Sequence, residues 1–325
     1  MKRSLKIFLV LAGLVLIGLP LAIFVFFVRT YAPVLFGEVE YHIPYKEEGG
    51  DLTLDVYHPT QGIYEQSPVL VYFHGGAWVT GAKESVNNAR FNAAFNRLRD
   101  KGYAIISPDY TLASLGNSPF PACIEDAYDV IAWLEANATE YNLDLNNVGL
   151  LGESAGGHIA LMKAYDGLPA GTPAQIEMRY MIDVYGPTDL LRLYTDQIPL
   201  IDTVKAISSH LPASFQDNLD INRYLFGFDP EADSSRTADF TAQFSPDKIV
   251  HDGAPNTLII HGNSDRVVPI NQSILLKEQL DSLGIMNEIH ILEGMDHAFG
   301  GATEQQKQQT QDWIVEFVER HYIDS

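Results

Sequence analysis

The chain has 325 residues and a formal net charge of −21, from 42 acidic and 21 basic side chains. An excess of negative charge repels a phosphate backbone, which argues against nucleic acid as a partner. Cys123 is the single cysteine, which excludes an intrachain disulfide and a C-x-x-C metal or redox site. With 46% hydrophobic residues, the chain can bury a sizeable core, as one large domain or two ordinary ones.

The N-terminal segment has the pattern of a membrane anchor. Residues 1–6 carry three basic side chains, and residues 7–28 form a run of 22 without a charge. About 20 apolar residues cross a bilayer as a helix. We therefore predict a transmembrane signal anchor over residues 5–29, with residues 30–38 as linker. The basic residues before the run outnumber Arg29 after it, which predicts a single-pass protein with a cytoplasmic N-terminus and its catalytic domain outside. The alternative is a cleaved signal peptide and a secreted protein.

Apolar runs of strand type alternate with amphipathic segments along the rest of the chain. The predicted strands are 39–45, 52–58, 68–73, 103–106, 148–151, 180–185, 257–260 and 288–292. The predicted helices are 87–100, 121–137, 155–165, 270–283 and 304–321. This alternation predicts one α/β domain over residues 39–325, with an eight-stranded, mostly parallel sheet covered by helices on both faces. We expect the first pair of strands to be antiparallel.

Residues 187–250 interrupt this alternation. Their apolar residues are mixed with proline and polar residues, and the segment is much longer than an ordinary connection between elements. We interpret it as a helical cap inserted over a functional site.

The segment around Ser154 carries the strongest chemical pattern. Gly152, Ser154 and Gly156 fit G-x-S-x-G, with a predicted strand before the motif and a predicted helix after it. That context is the nucleophile elbow, a tight turn that lifts a serine hydroxyl above the sheet edge. The alternative is an ordinary strand-to-helix turn. We predict that Ser154 is a nucleophile and that the backbone N–H of Ala155 points at the oxygen of a tetrahedral intermediate.

A second glycine-containing segment directly follows the third predicted strand. It reads His74-Gly75-Gly76-Ala77, and adjacent glycines let backbone N–H groups turn together towards an anion. The alternative is a glycine turn that merely ends the strand. Because a G-x-S-x-G motif follows later, we predict an oxyanion hole formed by Gly75, Gly76, Ala77 and Ala155, with His74 as a structural hydrogen-bonding residue.

A serine nucleophile needs a histidine base, and the base needs a carboxylate to fix its tautomer. His297 lies between the last predicted strand and the last predicted helix, and Asp265 follows the strand 257–260. Loops at the carboxyl ends of parallel strands are where such sheets place their chemistry. The order Ser154, Asp265, His297 is also the order that this motif class has. We predict these three residues as the catalytic triad.

Other acids and histidines fit the triad less well. Asp296 is adjacent to His297, and neighbours in sequence rarely face each other well enough to pair. Asp183 and Asp189 follow the wrong strand, so capping or loop hydrogen bonding is the expected role. His261 ends a strand, and His158 lies one helical turn after the elbow. We expect both histidines to be structural.

With these motifs in place, the chain resembles the α/β-hydrolase superfamily, and in particular its esterase and lipase branch of hormone-sensitive-lipase-like and feruloyl-esterase-like carboxylesterases. The resemblance covers about residues 39–322, and the segment Ser107-Pro108-Asp109-Tyr110 adds to it. It implies a serine hydrolase that cleaves small-molecule carboxylic esters through an acyl-enzyme intermediate, without a metal or organic cofactor. Many members have a third glycine where this chain has Ala77, so we expect a narrower entrance for the acyl group.

Two other functions stay open. A peptidase or formamidase on the same scaffold would use the same triad on an amide. A ligand-binding receptor on an inactive hydrolase scaffold is the third reading, although such proteins usually lack a triad residue. The acyl and alcohol specificity, the natural substrate and the oligomeric state are not encoded in any pattern that we can interpret.

Overall fold

A computed structural model describes residues 37–46, 52–168, 176–196 and 221–324. Its strands, numbered along the chain, are β1 (Val39–Lys46), β2 (Leu52–Tyr57), β3 (Ser67–Phe73), β4 (Ala104–Pro108), β5 (Leu143–Glu153), β6 (Tyr180–Val184), β7 (Asn256–Gly262) and β8 (Asn287–Leu292). Its helices are α1 (Asn92–Asp100), α2 (Ala122–Asn137), α3 (Ala155–Ala164), α4 (Leu190–Thr195), α5 (Ile221–Phe226), α6 (Ser234–Gln243), α7 (Pro246–Ile249), α8 (Asn271–Ser282) and α9 (Glu304–Arg320).

The strands form one eight-stranded sheet in the order β1-β2-β4-β3-β5-β6-β7-β8. From β4 across to β8 every pair is parallel, whereas β2 is antiparallel to both β1 and β4. The predicted mostly parallel sheet with an antiparallel first pair is confirmed. Strand β2 therefore has an antiparallel neighbour on each side and runs against the parallel strands.

Two hydrophobic cores lie on opposite faces of this sheet. Helices α2, α3 and α8 cover one face, where Ile124, Ile159 and Leu276 are fully buried. Helices α1 and α9 cover the other face, where Leu98 and Ile314 are fully buried. Parallel strands covered on both faces are apolar along their whole length, and every residue of β3 is buried. The prediction of helices on both faces is confirmed.

Strand β5 is longer than the four residues, 148–151, that its apolar run indicated. It begins at Leu143, and Leu143 pairs with Ser67 before a register shift. The first part of β5 was not predicted because it contains the polar residues Asp144, Asn146 and Asn147. Asp144 accepts hydrogen bonds from the Asn146 N–H and from the Asn147 side-chain amide. Local side-chain hydrogen bonding therefore interrupted the apolar pattern without ending the strand.

The range predicted as a cap contains the short helices α4 to α7 within its described part. Asp189 begins α4 by accepting a hydrogen bond from the Arg192 N–H, which is the capping role predicted for it. Residues 197–220 of the predicted cap lie outside the described residues.

The predicted anchor, residues 5–29, also lies outside the described residues, as does the linker up to residue 36. Within the described residues, none of the helices combines the length and the apolarity needed to span a membrane.

Candidate active site

Ser154 lies at the turn between β5 and α3 in a conformation that few residues adopt. Its backbone has φ 52° and ψ −122°. A non-glycine residue in such a region costs about 1–3 kcal/mol, and the surrounding structure must hold it there. The Ser154 N–H donates to the Val184 carbonyl at 2.9 Å, which fixes the turn to the end of β6. This turn places Ser154 directly after β5, at the carboxyl end of the strand.

The two glycines of the motif are required by close backbone contacts. A Cβ atom on Gly152 would lie 2.2 Å from the Gly156 carbonyl oxygen. A Cβ atom on Gly156 would lie 2.1 Å from the carbonyl oxygen of Phe73, the last residue of β3. Only glycine permits both approaches. The elbow therefore packs directly against the strand end from which the segment His74–Ala77 departs.

The three residues predicted as a triad are hydrogen-bonded in series. The hydroxyl oxygen of Ser154 lies 2.9 Å from His297 Nε2, and His297 Nδ1 lies 2.7 Å from Asp265 Oδ2. A carboxylate only accepts, so the Nδ1–Asp265 contact places the proton of the neutral ring on Nδ1. Nε2 is then free to accept the serine proton. The residues follow β5, β7 and β8, all at the carboxyl edge of the parallel strands.

The Asp265 carboxylate is held as an anion. Its side chain is fully buried, and Oδ1 accepts hydrogen bonds from the N–H groups of Val267 and Val268, each at 2.8 Å. Burial by itself would raise the pKa of Asp265. The rings of His261 and His297 outweigh it and hold the pKa well below its usual range. Asp265 can therefore orient His297 and stabilise its protonated form.

The alternatives considered in the sequence occupy other positions. Asp296 accepts a hydrogen bond from the backbone N–H of His297 and pairs with Arg266, so its carboxylate does not take the place of Asp265. His158 is buried beside the elbow, where Nε2 lies 2.7 Å from the Phe244 carbonyl, and burial lowers the pKa of His158 to about 4. Both residues have structural contacts.

His261 lies closer to the site than its place in the sequence indicated. Its Nδ1 lies 2.7 Å from the Ser273 hydroxyl, and its Nε2 lies 2.8 Å from the Val268 carbonyl. The same Nε2 is 3.3 Å from Asp265 Oδ2. His261 thus contacts the same carboxylate oxygen as His297 does. The separation of four residues between His261 and Asp265 could have suggested this contact.

The segment predicted to form the oxyanion hole bends sharply beside the elbow. Gly76 has φ 136° and Ala77 has φ 54°, and the N–H groups of Val79 and Thr80 both donate to the Gly76 carbonyl. A Cβ atom on Gly75 would lie 3.4 Å from Ser154 Cβ, so this segment runs next to the nucleophile.

The N–H groups of the predicted donors are not used by the rest of the fold. Within the described ranges, those of Gly75, Gly76, Ala77 and Ala155 donate to no protein acceptor. Ala155 is the first residue of α3, where the helix dipole also favours negative charge. The four groups can therefore serve an anion that forms beside Ser154.

His74 and Tyr110 support this segment from behind. Their rings stack with centroids 4.2 Å apart, and the Tyr110 hydroxyl donates to the His74 carbonyl at 2.8 Å. His74 Nδ1 lies 2.8 Å from the Gly75 carbonyl, and burial lowers the pKa of His74, which favours the neutral ring. His74 has the structural role predicted for it. The role of Tyr110 was not predicted, because only spatial proximity reveals it.

A small apolar cavity opens beside Ser154. Its volume is about 80 Å³. It is lined by the nucleophile, residues of the oxyanion segment, residues of the cap range and residues that follow Asp265: Ala77, Trp78, Ser154, Pro187, Leu193, Tyr194, Ile221, Asn222, Leu225, Val267 and Val268. The cavity is the space in which part of a substrate can lie within reach of the serine hydroxyl.

Comparison with known proteins places the chain in a family. The BD-FAE family model matches residues 54–280, well over half of the sequence. The chain belongs to the BD-FAE family. It is a carboxylesterase-like α/β-hydrolase of the esterase and lipase branch, as the sequence motifs predicted.

Curated relatives carry esterase names, and solved structures share the fold. An esterase of Gibberella moniliformis is 29% identical over 71% of this chain and 67% of its own length, and Mycobacterium tuberculosis esterase LipC is 28% identical over 76% and 56%. The match to a truncated form of a carbohydrate esterase from gut microbiota covers 90% of this chain and 100% of the truncated one, with a TM-score of 0.66 and 22% identity. The match to a Pyrobaculum calidifontis esterase covers 88% of this chain and 86% of the esterase chain, with a TM-score of 0.66 and 22% identity. The part of LipC that this chain matches is 56% of the length of LipC.

This BD-FAE family member has a buried ion pair beside the nucleophile that its sequence did not reveal. Glu153 is 2% exposed and accepts two hydrogen bonds from the Arg90 guanidinium, at 2.8 and 2.9 Å. The hydroxyls of Tyr72 and Tyr185 each donate to Glu153 at 2.7 Å. Burial would raise the pKa of Glu153, but the Arg90 charge and these hydrogen bonds lower it to about 2. The carboxylate stays ionised next to Ser154, where it accepts four hydrogen bonds.

Asp183 is a second buried acid near the elbow, on β6. Its Oδ1 accepts a hydrogen bond from the Gly186 N–H at 3.0 Å, and its Oδ2 has no partner among the described residues. A Cβ atom on Gly157 would lie 2.5 Å from the same Oδ1, so the carboxyl group packs against the start of α3. Burial raises the pKa of Asp183 to about 7.

We expect Asp183 to make the stability of this BD-FAE family member fall as the pH rises. The folded carboxyl, with a pKa of about 7, holds its proton more strongly than the unfolded one at 3.8. Ionisation of Asp183 therefore lowers the free energy of unfolding progressively as the pH rises between these two values. The loss reaches about 4 kcal/mol above pH 7. Asp183→Asn should flatten this slope, as measured by urea unfolding near pH 5 and near pH 8. Identical pH slopes for both proteins would contradict the buried, protonated state.

Proposed function

We propose that the chain hydrolyses carboxylic esters of small molecules through an acyl-enzyme intermediate. The observation that carries this proposal is the hydrogen-bonded series from the Ser154 hydroxyl through His297 to Asp265, at 2.9 and 2.7 Å. The curated relatives and solved structures that carry esterase names support the ester as the bond that is cleaved.

In the proposed acylation, Ser154 attacks the acyl carbon while His297 Nε2 takes the hydroxyl proton. Asp265 stabilises the imidazolium that forms. The negative oxygen of the tetrahedral intermediate accepts hydrogen bonds from backbone N–H groups of the Gly75–Ala77 segment and of Ala155, and loss of one such donor typically costs about 10²–10³ in rate. His297 then returns the proton to the leaving alcohol.

In the proposed deacylation, water takes the place of the alcohol. His297 removes a proton from the water as the water attacks the acyl carbon, and Ser154 leaves with that proton. Every proton passes through His297, so this sequence needs no metal ion and no organic cofactor.

The size of the cavity beside Ser154 supports a short acyl group. The cavity measures about 80 Å³, roughly half the volume of an apolar cavity of about 150 Å³ that binds benzene. Trp78 and Leu225, both nearly fully buried, form part of its wall. We infer that acetyl to butyryl groups fit and that aromatic and long acyl groups do not fit without displacement of the wall.

A panel of p-nitrophenyl esters tests the function and the acyl size together. We expect kcat/KM to be highest for the acetate to butyrate esters and to fall at least about tenfold for the decanoate, because one ill-fitting methylene alone costs about 1–3 kcal/mol. Leu225→Ala should move the preference towards longer chains. Equal turnover of acetate and decanoate by both proteins would contradict the cavity as the acyl site.

Amide hydrolysis is the alternative activity, because the same three side chains can protonate a leaving amine. The matched comparison is p-nitrophenyl acetate against p-nitroacetanilide, which share the acyl group and the chromophore. The proposed function predicts a much higher kcat/KM for the ester. A preference for the anilide would assign the chain to the amide hydrolases.

The membrane anchor stays a proposal from the sequence. The uncharged run within residues 7–28 and the basic residues before it support a single-pass protein with its N-terminus in the cytoplasm and the domain outside. Secretion after cleavage of this segment is the alternative.

A further inference from the structure

Tyr185, directly after β6, is held in a strained and fully buried position. Its backbone has φ 46°, in the left-handed region, and the residue is 0% exposed. A bulky residue there costs about 1–3 kcal/mol and persists only where the surroundings fix it. The Tyr185 N–H donates to the Ile260 carbonyl of β7 at 2.9 Å, which holds the backbone in place.

The ring of Tyr185 contacts the imidazole of the proposed base. The ring centroids of Tyr185 and His297 are 4.7 Å apart, with the planes inclined at 58°. Phe299, on the same loop as His297, makes an edge-to-face contact with the Tyr185 ring, with the ring centroids 5.8 Å apart. The imidazole therefore has a buried aromatic wall on one side while Asp265 holds its Nδ1.

The hydroxyl of Tyr185 reaches the other half of the site. It donates to Glu153 Oε2 at 2.7 Å, and Glu153 is the residue directly before Ser154. Arg90 pairs with the same carboxylate, so the acceptor is itself fixed. Tyr185 thus joins the end of the nucleophile strand to the ring of the base through one rigid side chain.

We propose that Tyr185 is a positioning residue for the reaction. Its ring sets the orientation of the His297 imidazole, and its hydroxyl, anchored on Glu153, fixes that ring relative to Ser154. This inference rests on the proposed ester hydrolysis. A misplacement of reacting groups by about 1 Å can cost about 10²-fold in rate, so such a support affects kcat far more than substrate binding.

Tyr72 provides a matched control within the same network. Its hydroxyl also donates to Glu153, at 2.7 Å and onto Oε1. Its ring, however, packs against Phe91 and Phe95, with centroids 5.9 and 5.1 Å away. Tyr72→Phe and Tyr185→Phe therefore each remove one hydroxyl donor from the Glu153 carboxylate. Of the two side chains, only that of Tyr185 has a ring contact with His297.

The experiment compares both variants with the wild-type protein on p-nitrophenyl acetate. We expect Tyr185→Phe to lower kcat about tenfold with KM within about twofold, and Tyr185→Leu to lower kcat further, towards about 10²-fold. Tyr72→Phe should leave kcat within about twofold, although both Phe variants lose a similar amount of thermal stability. Equal kcat values for the two Phe variants, or an unchanged kcat in Tyr185→Leu, would overturn the proposal.

A second readout does not depend on turnover. We expect the proton on His297 Nδ1, which is hydrogen-bonded to the buried Asp265 carboxylate, to give a low-field NMR resonance. The proposal predicts that this resonance shifts or broadens in Tyr185→Leu and remains in place in Tyr72→Phe. An unchanged resonance in Tyr185→Leu contradicts the positioning role, whereas a wild-type protein with the resonance and no ester turnover contradicts only the proposed function.

Discussion

Ser154→Ala is expected to reduce kcat for p-nitrophenyl acetate by about 10⁶-fold, the loss that follows removal of a triad serine elsewhere. The substitution removes the atom that attacks the acyl carbon. His297 and Asp265 remain paired, but they have no hydroxyl from which to take a proton. Turnover should fall to the level that the oxyanion donors and substrate binding sustain alone, about 10³–10⁴ above the reaction in water.

Ser264→Ala is the matched control for this result. Ser264 is exposed and adjacent to Asp265, and its hydroxyl contacts Asn263 at 3.4 Å. We expect its kcat to equal that of the wild-type protein within about twofold, as for most exposed substitutions. Wild-type turnover in Ser154→Ala would remove Ser154 from the mechanism, whatever Ser264→Ala does.

Asp265→Asn is expected to lower kcat by about 10⁴-fold, as the same substitution does in a serine protease triad. The buried carboxylate accepts from His297 Nδ1, and the N–H groups of Val267 and Val268 occupy its other oxygen. These two donors require an oxygen at their position, so the new amide presents its NH₂ group to the imidazole. The imidazole then carries its proton on Nε2 and cannot accept one from Ser154.

Asp296→Asn separates this effect from a general loss of negative charge near the base. Asp296 is adjacent to His297 and contacts its backbone N–H and the exposed Arg266. An asparagine oxygen can keep the hydrogen bonds from the backbone N–H groups of His297 and Arg266, and only the exposed Arg266 guanidinium loses its acceptor. We therefore expect less than a tenfold change in kcat, about 1.4 kcal/mol or less. If Asp296→Asn were the more damaging of the two substitutions, the assignment of Asp265 as the orienting acid would be wrong.

The fold was predictable where local patterns are strong. A strand that is buried on both faces is a continuous apolar run, and a helix that covers a sheet has apolar residues at helical spacing. Each pattern can be recognised within one short segment, so the sheet and its two helical layers were predicted. The start of β5 was missed, because Asp144, Asn146 and Asn147 satisfy one another and resemble a loop. A short-range signal cannot separate a polar strand end from a turn.

The candidate triad was predictable because each of its residues lies in a recognisable local context. Ser154 lies in a motif, and Asp265 and His297 follow predicted strands in the expected order. The structure brings all three within hydrogen-bonding distance. Their catalytic roles stay a prediction until activity is measured.

The supporting contacts could not be predicted in the same way. Arg90 and Glu153 are 63 residues apart, and Tyr185 is 32 residues from Glu153. No spacing rule links such positions, because their contact depends on how whole strands and loops pack. The burial of the Asp183 carboxyl group could not be predicted either. The sequence of an apolar run does not show whether an acidic side chain within it reaches water.

The most direct test of the account is the site at which a fluorophosphonate ester labels the protein. Such a reagent reacts with a serine that an adjacent base activates, and it stays attached. The account predicts one label per chain, found by peptide mass analysis on Ser154, with complete loss of ester turnover and no labelling of Ser154→Ala. A label on another serine that abolishes turnover, or full turnover after Ser154 is labelled, would contradict it.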